Sequence, residues 1–165
     1  CLHFSNRVSV SRTHKAHIYA FQFAATNPLE CYLYINNQVR TANVQTLREI
    51  GRDTASAMLW SGAFERLPRS APRAGFGDHR FFNYQGKQVG ESYHLGFDLA
   101  SVRNAEVPAA NSGRVVFCGN LGIYGNLIVI DHGLGLMSLY SHLNDQLVKA
   151  GDVFGNRPGE QRIIL

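Results

Sequence analysis

The stretch that decides the fold is GRVVFCGNLGIYGNLIVIDHGLGLMSLYSHL, residues 113–143. It holds three apolar runs, Gly113 to Cys118, Asn126 to Asp131 and Gly135 to Leu143, separated by Gly119, Gly122, Gly125 and Gly133. Short runs rich in Val, Ile, Leu and Tyr with glycine turns between them read as consecutive strands. No helix-length periodic segment intervenes, which argues against a parallel α/β sheet. The expectation is a mainly β chain, an antiparallel sheet or barrel-like sandwich. Phe81 to Tyr84 carries the same pattern upstream, with Gly86 and Gly90 beside the turns.

Further upstream the texture changes. Ser61 to Gly77 holds Gly62, Pro68, Pro72, Gly75 and Gly77 and reads as an extended connection. Before it, Thr46-x-x-Glu49 has the form of a capping box. Leu47, Ile50, Thr54 and Met58 follow at helical spacing, which predicts one helix, weakened by Gly51. His17 to Ala24 and Cys31 to Ile35 are aromatic and β-branched and read as strands, with Asn36-Asn37 as a turn. The expected organisation is a short β unit over 1–42, the end of a larger upstream domain, then a helix and linker over 43–59 and the main β domain over 60–165.

Composition narrows the function classes. The chain has 165 residues, 45% of them apolar and 17% charged, enough for one domain or one with part of a second. Ten Phe and seven Tyr exclude disorder. No apolar run approaches the roughly 18–20 residues of a membrane helix. The net charge is +4, but Lys and Arg are scattered, which argues against a nucleic-acid partner. Cys1, Cys31 and Cys118 are too few for a disulfide framework and lack metal-ligand spacing; Cys31 and Cys118 read as small buried apolar residues. The chain begins with Cys1, as a processed or cut chain would.

Three side chains stand out for chemistry. His94 and Asp98, in SYHLGFDLA (92–100), are four apart. In a regular strand they would face the same side roughly 13 Å apart, too far for one metal ion. A shared metal needs a bend, and Gly96 sits midway to supply it. Spacing alone is a weak signal and favours a surface His and a capping Asp over a metal site. His142, in SLYSHL (138–143), falls opposite Leu139, Ser141 and Leu143 in a period-2 strand and on the face of Tyr140. That face is either a groove floor or plain solvent. His79 reads as a loop His.

Together these segments resemble the lysostaphin-type, or LytM-like, zinc endopeptidases of bacterial cell walls. The similarity runs over about Leu59 to Asp152. It includes WSGAF (60–64), FGDHR (76–80), HLGFDLA (94–100), AANSGRVV (109–116), GIYGN (122–126), VIDHG (129–133) and LYSHL (139–143). The resemblance implies a zinc cofactor held by His94 and Asp98, with His142 polarising the attacking water or stabilising the oxyanion. Asp131 and His132 match a string read as structural. The implied substrate is the peptide stems or bridges of peptidoglycan, and the implied place is the periplasm or cell exterior. The family's third zinc ligand comes from a C-terminal H-x-H. Residues 153–165 contain no His, so 60–165 reads as a C-terminally truncated peptidase domain with two ligands, inactive or nearly so. Cys118 and His132 are the fallback ligands. Relatives that have lost zinc ligands act as modules that switch on cell-wall amidases, and that is the competing reading. A carrier domain is disfavoured because VKAGD (148–152) lacks a Met-Lys-Met or Asp-Lys-Ala string.

Overall fold

The computed structural model describes residues 27–155. Among the described residues the chain is mainly β, and every strand pairing is antiparallel. One continuous helical stretch comes first: α1 (Pro28–Leu33), a π-helical turn (Tyr34–Val39) and α2 (Arg40–Ile50). Eight strands follow: β1 (Ala71–Ala74), β2 (His79–Tyr84), β3 (Lys87–Tyr93), β4 (Asp98–Ala100), β5 (Gly113–Asn120), β6 (Asn126–Gly133), β7 (Leu136–Leu143) and β8 (Val153–Phe154). No described helix is long and apolar enough to cross a membrane.

The helix differs from its sequence reading. Cys31 to Ile35, expected as a strand, is helical. Asn27 accepts a hydrogen bond from the Glu30 N–H at 2.9 Å, and Pro28 opens the first turn. This cap-and-proline start outweighs the aromatic β bias that follows it. Asn36-Asn37 lies within the π-helical turn. Thr46 caps nothing; its hydroxyl donates to the Ala42 carbonyl one turn back at 3.2 Å. The helix ends at Gly51, so Thr54 and Met58 lie beyond it. The strand expected at His17 to Ala24 lies outside the described residues.

The described chain forms two compact units, and they do not follow chain order. The first joins residues 27–34 to residues 68–102. Its centre is the β2–β3 hairpin, closed by Gln85 and Gly86, both at positive φ (47° and 78°), as a two-residue turn matching strand twist requires. Alternation then divides the hairpin. His79, Phe81, Glu91 and Tyr93 are exposed, whereas Arg80, Phe82 and Ser92 are partly covered. Tyr32 packs on Phe82 at 5.2 Å between ring centroids and approaches Gly90, where an added Cβ would stand 2.6 Å from its hydroxyl. Strands β1 and β4 form a separate pair.

The second unit holds residues 35–67 and 103–155, with a sheet in the order β7-β6-β5-β8. Strand β6 is buried along almost its whole length. Leu127, Ile128 and Ile130 have no exposed surface, and Val115, Leu143 and Phe154 close a core around Ile128 and Ile130. Burial on both faces explains why NLIVI runs apolar without alternation. Each such side chain contributes about 1.5–3 kcal/mol. Asn43 of α2 accepts the Ile123 N–H at 2.9 Å and so ties the helix to the β5–β6 connection.

Candidate functional site

In the first unit the bend at Gly96 exists. Strand β3 ends at Tyr93, and His94 is fixed just beyond it. Its N–H donates to the Asp78 carbonyl at 2.9 Å, and its own carbonyl accepts the Gly77 N–H at 2.7 Å. The chain bends at Gly96 and re-enters a strand at Asp98. The outcome is a contact of 3.2 Å between His94 Nε2 and Asp98 Oδ1. Asp98 Oδ2 also meets an Arg80 guanidinium nitrogen at 3.4 Å. Arg80 reaches the pair because it shares the covered face of the hairpin. A separation of 18 positions gave no sequence signal for it.

Zinc can be tested against this corner. Two ligand atoms on a tetrahedral zinc, each about 2.0–2.2 Å from it, stand roughly 3.3–3.6 Å apart. The His94–Asp98 separation is close to that edge length. A ligating His normally donates its other ring nitrogen to an acceptor. Here His94 Nδ1 is buried with no hydrogen-bond partner. Among the described residues no group of three His, Cys, Asp or Glu could hold a metal. The described residues fit two positions of a zinc site and do not fit a complete one.

His142 belongs to the second unit, near the end of β7, and is exposed. The regular alternation expected there is broken. Asn126 pairs with Leu143 and Ile128 with Tyr140, so Ser141 and His142 together oppose Leu127 in a β-bulge. His142 takes φ 61°, a left-handed conformation uncommon for any residue but glycine. As a result Leu139 is 45% exposed while Leu143 is 9% exposed, and Tyr140 turns inward while His142 does not. Leu139, Ser141 and Leu143 therefore do not share one face, and His142 does not share that of Tyr140.

The other candidates are occupied. Asp131 and His132 have no exposed surface. Asp131 accepts from Thr54 Oγ1 at 2.7 Å, the Ala55 N–H at 2.8 Å and the Gly133 N–H at 2.8 Å, with an Arg114 nitrogen at 3.7 Å. Burial pushes its carboxyl up; these hydrogen bonds and Arg114 outweigh that and hold it below its usual value. His132 Nδ1 contacts the Ser112 carbonyl at 2.6 Å and Nε2 the Ser138 hydroxyl at 2.7 Å. A carbonyl only accepts, so Nδ1 carries the proton and Nε2 accepts from Ser138. Tyr140 OH, 3.1 Å from Ser138 Oγ, accepts the Ala110 N–H at 2.7 Å. Burial lowers the His132 pKa, against the opposing pull of Ser112 and Asp131.

Cys118 donates to the Val148 carbonyl at 3.0 Å, and burial, then Asp152, raise its pKa, which leaves a thiol rather than a metal-binding thiolate. His79 is a strand residue, not a loop one. It stacks on Tyr93 at 4.3 Å and contacts Glu91 at 3.3 Å.

With this geometry in view, the similarities to known proteins are informative. The sequence profile of Peptidase family M23 matches residues 92–156, which include His94, Asp98 and His142. The DD-carboxypeptidase/endopeptidase Mpg of Neisseria meningitidis serogroup B is 36% identical over 67 residues, 38% of this chain and 16% of the relative. The murein hydrolase activator NlpD of Salmonella dublin is 40% identical over 60 residues, 36% of this chain and 16% of the relative. The chain thus spans about one-sixth of each relative's length. A crystal structure assigned as a peptidase M23 from Pseudomonas aeruginosa superposes with a TM-score of 0.57 at 18% identity. It covers 78% of this chain and 49% of its own, and shares the fold.

Proposed function

We propose, from the M23-type segment over residues 92–156, that this chain is a cell-wall module of the bacterial envelope, periplasmic or extracellular, carrying a peptidoglycan endopeptidase site. The substrate is the peptide stem or bridge of peptidoglycan, and the module is residues 60–165. The observation that carries the reading is the 3.2 Å contact of His94 with Asp98 across the Gly96 bend, inside the matched segment. In this reading His94 and Asp98 are metal ligands, zinc being the metal the family resemblance implies. His142 is the catalytic residue that hydrogen-bonds the charge developing on the scissile carbonyl. One such donor is worth on the order of 10²–10³ in turnover.

A second reading has its own observation. Among the described residues no third ligand joins the pair, and Arg80 already neutralises Asp98. That favours a non-catalytic module that activates a cell-wall amidase; one of the similar proteins is named a murein hydrolase activator.

One experiment separates the two. Purified chain is incubated with cell walls, alone and with an amidase, with and without chelator. The endopeptidase reading expects slow release of peptide fragments from the chain alone, lost with chelator and in His94→Ala. It also expects His142→Ala to lower release on the order of 10²–10³-fold with metal content unchanged. The activator reading expects no release alone and faster amidase action, indifferent to chelator and to His94→Ala. Neither effect would overturn both.

A further inference from the structure

The bulge at Ser141-His142 is pinned on both sides. On the upstream side Tyr140 is fixed, its hydroxyl bonded to the Ala110 N–H and to Ser138. On the downstream side Leu143 is buried in the core opposite Asn126. The chain leaving the bulge is then tied back to β6 twice. Asn126 Nδ2 donates to the Asn144 carbonyl at 3.2 Å. Gln146 Nε2 donates to the carbonyl of Leu127, the residue the bulge opposes, at 2.9 Å, and reaches the Gly119 carbonyl at 3.4 Å. One residue too many is confined between these pins, and His142 absorbs the excess at φ 61°. A non-glycine residue persists in that region only where its surroundings over-determine it.

We propose that Asn126 and Gln146 are positioning residues, whose hydrogen bonds to the segment after β7 hold His142 in its left-handed bulge and so aim its imidazole. The backbone part of this proposal stands on geometry alone. Its consequence for hydrolysis rests on the catalytic role proposed for His142.

The test is a melting cycle that needs no activity. His142→Gly and His142→Ala delete the same imidazole, but only glycine accepts positive φ freely. His142→Gly should therefore melt several degrees above His142→Ala. With Gln146→Leu or Asn126→Ala as background, the bulge can relax toward a regular strand. There the order should shrink or reverse, because glycine is the poorer strand residue. An equal glycine advantage in both backgrounds, or none in the parent, would overturn the proposal. If one background variant fails to fold, the other carries the cycle. In the intact chain, NMR should read a left-handed backbone coupling at His142 that shifts toward a strand value in Gln146→Leu; an unchanged coupling is a second refutation. Failure to release cell-wall peptides would sink the proposed hydrolysis and leave this result standing.

Discussion

Among the described residues, two Asp/His pairs stand in opposite surroundings. Asp131 and His132, on β6, are without exposed surface, and both ring nitrogens and both carboxylate oxygens are engaged. His94 and Asp98, at the hairpin exit, keep one ring nitrogen unpartnered and a carboxylate side chain 56% exposed. The same two residue types thus do different work. A pair whose hydrogen-bonding capacity is spent within the fold is scaffold, and a metal could enter only by breaking it. A pair with capacity left over, on a bend rather than in a ladder, can answer to a ligand.

The largest expected effect lies in the first pair. Asp131→Ala strips Thr54, Ala55 and Gly133 of their acceptor and leaves Arg114 facing an empty place. Each donor left unsatisfied in a covered place costs about 1–3 kcal/mol, whereas Arg114, 40% exposed, can turn to water. Urea titration of the variant should show that loss. A loss below about 1 kcal/mol would erase the distinction between the pairs.

The second effect is a pH dependence. The folded state holds His132 neutral, with its pKa below the ordinary 6.5. As pH falls below 6.5 the unfolded chain takes up this proton and the folded chain does not. Stability therefore drops with pH until the folded histidine protonates as well. Asp131 acts lower: its folded value lies beneath 3.8, so its contribution is present above 3.8 and is lost as pH falls further. The urea midpoint should decline between about pH 7.5 and 5. In His132→Asn, whose amide can still donate to the Ser112 carbonyl, that decline should be shallower. An identical slope would mean that other histidines carry it.

How far the two regions were legible in sequence follows from the same contrast. The core strands were readable because burial on both faces writes an unbroken apolar run, as in Leu127 to Ile130. The bend was readable from Gly96 at the midpoint, but the spacing of His94 and Asp98 is a weak signal, and the resemblance to the LytM-like peptidases is what joined them. The short strands β1, β4 and β8, of two to four residues, were not, since their pairing is decided by distant partners. The break in alternation at His142 was also hidden. It depends on Tyr140, Asn126 and Gln146 being anchored elsewhere, which period-2 counting cannot see. The helical start at Pro28 was present in the sequence as Asn27-Pro28, but the aromatic content of Cys31 to Ile35 masked it.

The smallest stability effect belongs to the exposed pair. Asp98→Asn keeps the shape of the side chain and removes its charge, which weakens contacts to Arg80 and His94. Solvent-exposed ion pairs contribute about 0–1 kcal/mol. Folding stability should therefore fall by less than about 1 kcal/mol, against the several lost at Asp131. Any metal the corner holds should suffer far more, because a neutral amide oxygen is a poor substitute for a carboxylate. Measuring zinc retention and the urea midpoint on the same Asp98→Asn preparation reads both at once. Retention lost with the midpoint kept is the result a ligand predicts. If the midpoint falls as it does in Asp131→Ala, then Asp98 belongs to the scaffold, and the Arg80–Asp98–His94 cluster is an ion-pair network with no claim on a metal.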